Sequence, residues 1–459
     1  MKKNFKYLIA GILPLALLST SCNKLLEVTP KYIYTTKQIY DNDLLADSVV
    51  LALYGKFATM QNDLSLSTGF SSDEFRPGIN NFNEGYTFMY NYNLNPFSGF
   101  TNSYWVSCYN VIGIANAMEE GVAQSTGMTQ AGKNEVLGQA KFMRALNYYF
   151  LINLYGDVPL VLTSNYKEER IKPRMATSTV YDQIVKDLED ASALLRDQYQ
   201  GERVRANKWA ALALLSRVCL FTKEWEKAEQ SASQVIAQQH LYRLGQLDTQ
   251  DGTKVMDIFV KNNSEQILQL WNSLGSSIGG YTLGTFTSFA VTEDENGLLQ
   301  AFESDDKRKD NYTKLEESTT SYMNYKYRSN GGDGMPNNEY TSVLRLSEQY
   351  LNRAEARLQS GHPSAIEDVN ILRKRAGLTA ISNSIPKEQA LKAIIHERRV
   401  ELCFEWADRW CTLKRLGIAD AVMSKAKPDT WKSYAQLFPI PTTEIQNNRL
   451  LNQNPGYTN

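Results

Sequence analysis

Histidine is nearly missing. The chain of 459 residues has three, His240, His362 and His396. They stand far from any zinc-like spacing, which excludes a histidine-built metal centre. Cysteine is scarce too: Cys22, Cys108, Cys219, Cys403 and Cys411, with no C-x-x-C pair. Cys403 and Cys411 fall on what reads as one continuous helix, ~12 Å apart at ~1.5 Å per residue. A disulfide needs Cα atoms within about 7 Å, so these two should not pair. Charge of one sign is missing as well. Lys plus Arg number 49 against 50 acids, a net charge of -1, so no basic excess points to nucleic acid. No apolar run is long enough to cross a bilayer. Residues 7–18 give 12 largely apolar positions, about 18 Å of helix against a hydrocarbon core of about 30 Å. The stretch "WAALALLSRVCLF" is interrupted by Ser216 and Arg217. There is no nucleophile elbow and no phosphate-binding loop. The adjacent acids Asp305-Asp306, Glu316-Glu317 and Glu119-Glu120 read as solvated faces, not as catalytic carboxylates set across a substrate. No cofactor, metal or catalytic residue is therefore expected.

What is present begins at the N-terminus. Lys2, Lys3 and Lys6 precede the apolar run, and Ser19-Thr20-Ser21 lead into Cys22. This reads as a signal peptide over residues 1–21 of an exported chain. Three roles are open to Cys22: a structural thiol, half of a disulfide, or the acceptor of a lipid anchor. It sits in no packed segment and has no evident partner, which favours the anchor. The other four cysteines read as small buried hydrophobes. Tyrosine is plentiful, 26 residues beside 17 Phe and 7 Trp. Such side chains either fill a helical core or present a flat apolar face with a polar tip to a ligand.

Helical periodicity dominates. In "RANKWAALALLSRVCLF", Trp209, Leu212, Ala213, Ser216, Cys219 and Leu220 share a face. After the break "TKE" comes "WEKAEQSASQVIA", with Trp225, Ala228, Ala232 and Val235 on one side. Helix, short turn, helix, with Ser216 and Ala228 at the small crossing positions, is the tetratricopeptide pattern. A second pair lies in "YLNRAEARLQSGHPSAIEDVNILRKRAGL", turning at 361–363 and stopping at Gly377. "VLGQAKFMRALNYYFLINLYGD" looks like half of another pair, ending at Gly156-Asp157. Between these blocks the texture changes. Residues 73–105, 272–290 and 329–338 are rich in Gly, Asn, Ser and aromatics without a helical period, and read as long surface loops.

Several segments resemble, in order, the SusD/RagB family of outer-membrane nutrient-uptake lipoproteins. They are "QAKFMRALNYYFLINLYGDVPLV" (139–161), "TVYDQIVKDLEDASALL", "SEQYLNRAEARLQSG" (347–361) with "VNILRKRAGL" (369–378), "ERRVELCFEWADRWCTLKRLG" (397–417), and "LFPIPTTEIQNNRLLNQNPGY" (437–457). With Cys22 the resemblance covers essentially the whole mature chain. Two departures stand out. The family often has Gly-His where this chain has Ala407-Asp408, and Phe-Asp where it has Cys411-Thr412. Arg398 and Arg409 fall on the inner face of the segment after Pro386. They need carboxylate or carbonyl partners there, or else form an anion site.

The resemblance implies a mainly α protein, with tetratricopeptide-like helix pairs forming a SusD-like fold, long irregular loops and few short strands. It implies an N-terminal helical region over 22–240 and a C-terminal RagB/SusD region over 241–459. It also implies a function: a lipid-anchored protein of the outer membrane that captures oligosaccharide and hands it to a SusC-like TonB-dependent transporter. Peptide is the alternative ligand. A secreted glycoside hydrolase and a purely protein-binding scaffold are the competing classes. Sugar C–H faces stack on aromatic rings while hydroxyls bond to polar neighbours. The expected ligand residues are therefore Asp73, Tyr90, Tyr92, Trp105, Trp271, Tyr281, Phe286, Tyr322, Tyr325 and Arg328, with Cys22 as the lipid-attachment residue.

Overall fold

The computed structural model describes residues 35–78, 84–247, 249–250, 253–254, 257–271, 289–328 and 338–458. Residues 1–34, and with them the signal segment and Cys22, lie outside the described residues. Among the described residues no helix is long and apolar enough to cross a membrane.

The fold is a stack of helices. Gly99–Gln124 packs on Gln130–Tyr155, which packs on Thr177–Leu194; Lys208–Thr222 and Trp225–Ile236 follow. Trp225–Ile236 then packs against Leu346–Gln359, over a hundred residues later in the chain, which carries Ala365–Arg375 and Lys387–Glu401. The stack thus runs through both regions read from the sequence, and the main buried cluster draws residues from Tyr40 to Leu451.

Local chemistry sets these elements. Asn207 caps Lys208–Thr222 by accepting the N–H of Ala210, which satisfies one of the orphan donors of the first turn. Lys223 closes that helix in the left-handed region (φ 61°). Every residue from Trp209 to Leu220 is buried. The single apolar face read from the sequence is therefore part of a helix enclosed on all sides, which suits its Ala-rich composition. Ser216 and Ala228 are both fully buried, as the repeat pattern requires. Gly377 (φ 83°) closes Ala365–Arg375, with the N–H of Leu378 reaching the carbonyl of Arg373, the double-bonded glycine stop.

Ion pairs tie the layers together. Arg144 joins three helices through Asp187, Glu119 and Asn116. Glu119, like the buried Asp306 beside Arg308, is thus an ion-pair partner and not a solvated face. Arg217 meets Glu348 across the junction between the two regions. Deeper, Arg345 contacts Glu265, Glu401 and Glu405, Arg375 shares Glu265 and Glu401, and Arg308 meets Asp306, Glu397 and Glu401. Such networks survive burial only when each charge has several partners, and these do.

One continuous helix after Pro386 is not what forms. Lys387–Glu401 ends, residues 402–407 turn, and Asp408–Arg415 starts afresh. Phe404, Trp406 and Ala407 all have positive φ (66°, 44° and 63°). Tertiary contacts impose this turn. Glu74 accepts the N–H of Phe404, and the Trp406 ring stacks on Phe57 and Phe150 at 5.4 and 5.7 Å. Cys403 therefore lies in the break and Cys411 on the helix after it, both unpaired and buried.

The strands are short and antiparallel. Gln266–Leu270 pairs with Thr341–Arg345, Phe75–Pro77 with Phe289–Val291, and Thr313–Glu316 with Ser321–Asn324. The last two pairs touch through Phe289–Val291 and Ser321–Asn324.

Candidate functional site

That contact gathers three stretches that hold or border expected ligand residues: Phe75–Pro77 within 73–105, Phe289–Val291 at the end of 272–290 and, third, Ser321–Asn324, which carries Tyr322. The join is secured at its base. Thr292 donates its N–H to the carbonyl of Glu74 and its hydroxyl to that of Asp73. At its rim, Arg76 reaches Glu293 at 2.9 Å and Ser321 at 3.2 Å. Glu293 also accepts the N–H of Tyr322 at 3.4 Å. Arg76 and Glu293 are each about one third exposed, so a ligand can compete for both.

Two tyrosines border this rim. Tyr322 is half-buried on the strand Ser321–Asn324. Tyr90 is half-buried at the end of Glu84–Tyr90, with the Lys427 ammonium 4.2 Å from its ring centre. Burial raises the Tyr90 hydroxyl above its ordinary range; Asp294 adds to the effect and Arg76 opposes it. Tyr90 therefore stays a neutral donor facing both charges. Lys427 itself is buried, gives its ammonium to the Phe70 carbonyl, and is pushed down to about 7 by desolvation, against the pull of Asp73 and Asp294.

Further along the third segment, Tyr325 is half-buried between Lys314 and Arg328, at 5.2 and 4.7 Å from its ring centre. Arg328 also donates to the carbonyl and side-chain oxygens of Asn311. Trp271 is 58% exposed just past the strand Gln266–Leu270. Beside it, Tyr340 donates its hydroxyl proton to Glu202 at 3.0 Å.

Three expected ligand residues are placed elsewhere. Asp73 is 1% exposed and holds two buried guanidinium groups, Arg409 at 2.7 and 2.8 Å and Arg399 at 2.8 Å. Those arginines hold its carboxyl well below the usual range, against the desolvation that raises it most. Tyr92 is 1% exposed, donates to the Ser71 carbonyl and packs edge-on against Trp431. Trp105 is 2% exposed inside Gly99–Gln124, edge-on to Tyr155 at 5.1 Å. All three are interior residues: the turns that hold Asp73 and Tyr92 are packed inward, and Trp105 lies in a buried helix. Tyr281 and Phe286 lie outside the described residues. Arg398 and Arg409 are fully partnered, the former by Asp408, Asn352 and Glu348, which leaves no anion site there.

Sequence reasoning missed Arg76, Glu293 and Asp294. Arg76 and Glu293 are 217 positions apart, and no local pattern marks such a pair. Among the described residues no group of His, Cys, Asp and Glu could hold a metal ion.

Known proteins share this fold. A family model described as "Starch-binding associating with outer membrane" matches residues 25–220, and one described as "SusD family" matches 290–457. A SusD-like protein of Formosa agariphila is 26% identical, covering 80% of this chain and 83% of its own. A SusD superfamily protein of Bacteroides vulgatus superposes with a TM-score of 0.78 at 18% identity, over 91% of this chain and 100% of its own. A laminarin-binding SusD-like protein does so with a TM-score of 0.73 at 25% identity, over the same shares. With two family models that together take in most of the chain, this protein belongs to the SusD/RagB family.

Proposed function

We propose that this protein binds oligosaccharide without turning it over, at the rim formed by Arg76, Tyr90, Glu293 and Tyr322. One observation supports the reading above others: three segments distant in sequence meet there and present tyrosine rings beside a bridged arginine and glutamate. Rings supply the apolar face that sugar C–H groups need, and Arg76, Glu293 and Tyr90 supply donors and acceptors for hydroxyls. Charges at the rim are matched, Arg76 with Glu293, which suits a neutral ligand better than a charged one. Tyr325 and Arg328, further along the segment of Tyr322, and the exposed Trp271 are additional candidate contacts. The laminarin bound by one structural relative and the starch named in one family description are the same class of ligand.

The remaining steps belong to the same reading. Cys22 carries a lipid that tethers the mature chain to the outer membrane. The bound glycan passes to a SusC-like TonB-dependent transporter, and the protein has no catalytic role of its own. A glycan array and a peptide library applied to the purified mature chain test the ligand class. Retention of neutral glycans, unchanged in length after incubation, is the expected result. Binding of peptides alone, or any glycan cleavage, contradicts it. Mass spectrometry of the membrane fraction should find the chain starting at an acylated Cys22.

A further inference from the structure

An open cleft of about 710 Å³ is lined by none of the rim residues. It lies where the C-terminal end of Gln130–Tyr155, the N-terminal end of Thr177–Leu194, the helix Asp408–Arg415 and residues 452–455 come together. Three cations line it, Arg174, Lys414 and Arg415, against one acid, Asp157. Arg415 is committed to both oxygens of Glu355, at 2.6 and 2.8 Å. The other two hydrogen-bond to neutral groups. Arg174 donates to the carbonyls of Asp157, Tyr155 and Asn452 and to the Asn454 side chain. Lys414 donates to the carbonyls of Asn153 and Gln436.

The helix ends contribute as well. Thr177–Leu194 points its positive end into the cleft, and its N-cap, Ala176, offers no side-chain acceptor. Asp157 takes the N–H of Thr177. The carbonyl end of Gln130–Tyr155 brings about half a negative charge, and the N-terminus of the second helix about half a positive one. These two cancel. Asp157 offsets one of the two uncommitted cations, so one positive charge is left over. Lys414 registers the shortage: burial pushes its ammonium down to about 8, with no carboxylate beside it to oppose the shift.

We propose that this cleft is a second ligand site that takes an oxyanion group, a carboxylate or a sulfate, between Lys414, Arg174 and the start of Thr177–Leu194. Such a group would give the two cations the charged acceptor they lack, and the helix N-terminus would add backbone donors. Two sources have this chemistry: a free anion, or an acidic saccharide carrying a uronate or a sulfate ester.

The test uses the whole mature chain made soluble by Cys22→Ala. Its unfolding midpoint is followed in sodium sulfate and sodium acetate against sodium chloride at matched ionic strength. Calorimetric titration with glucuronate and with glucose follows. Thr177→Glu places a carboxylate at the helix start, where it also favours the helix, and should occupy the site from within. Expected are a midpoint raised by several degrees in sulfate or acetate, and glucuronate binding without glucose binding at the cleft. Thr177→Glu should abolish the anion response, and Lys414→Met should weaken it about tenfold or more. Tyr322→Ala, at the rim, should leave it intact. Glucuronate tighter than acetate identifies the saccharide source, and equal affinity identifies the free anion. No response beyond chloride in the parent chain, or a full response in Thr177→Glu, overturns the proposal.

Discussion

Asp73 and Arg76 are three residues apart and belong to different surroundings. Asp73 faces inward and neutralises two guanidinium groups from the far end of the chain. Arg76 faces outward, and its partner Glu293 shares its exposure. Both form ion pairs, yet the energetics differ. Removing one member of a buried pair strands a charge in low dielectric, whereas an exposed pair contributes little to stability and can be exchanged for a ligand. The same short stretch therefore locks the fold at one end and, at the other, carries part of the binding surface proposed above.

The largest expected effect comes from breaking the inner side. Asp73→Ala leaves Arg399 and Arg409 without their carboxylate and should cost about 3–5 kcal/mol, measured by denaturant unfolding. Arg76→Ala should change stability by less than about 1 kcal/mol in the same assay. Equal costs would dissolve the distinction.

Glu74, between the two, gives a pH-dependent version. It is 4% exposed, and burial pushes its carboxyl up to about 7, opposed by the Phe404 N–H. The folded state thus holds this proton more tightly than the unfolded chain does. Its contribution to stability is full below about pH 4.5 and is lost as the pH rises through about 7. Glu74→Gln should flatten that loss, by up to about 3 kcal/mol between pH 5 and 8. Parallel pH–stability curves for the two proteins would show that Glu74 is not the group responsible.

On the outer side, Tyr322→Ala should weaken glycan binding about tenfold, roughly 1.4 kcal/mol. Its midpoint should fall by only a degree or two, since the ring is half-buried. The smallest effect is expected at Ala407. With φ at 63° it occupies the left-handed region where a Cβ is penalised. Ala407→Gly should raise stability by about 0.5–1 kcal/mol and leave binding unchanged.

Much of the helical stack was legible in the sequence, because small residues at crossing positions and periodic apolar faces are local signals. Ser216, Ala228 and Gly377 do in the structure what their spacing implies, and Gly156, at φ 74°, closes Gln130–Tyr155. The break at 402–407 was not legible. Glu74 and the rings around Trp406 create it, and they act from elsewhere in the chain. The inner arginines could be read as needing partners, but Asp73 could not be read as one of those partners. It lay in an aromatic, Asn-rich stretch whose composition resembles a loop, while its burial follows from Arg399 and Arg409 more than 300 positions away. Composition likewise could not separate Tyr92 and Trp105, which fill the interior, from Tyr90 and Tyr322, which border the rim.

Recognition of the ligand by the proposed rim, and not by the interior beside it, is tested by calorimetric titration of the soluble Cys22→Ala chain with a glycan retained on the array, beside the same chain carrying Arg76→Ala and Tyr322→Ala together. Affinity should fall well over tenfold in the double variant, with its helical signal and unfolding midpoint nearly unchanged. Equal affinity in the two proteins would contradict it.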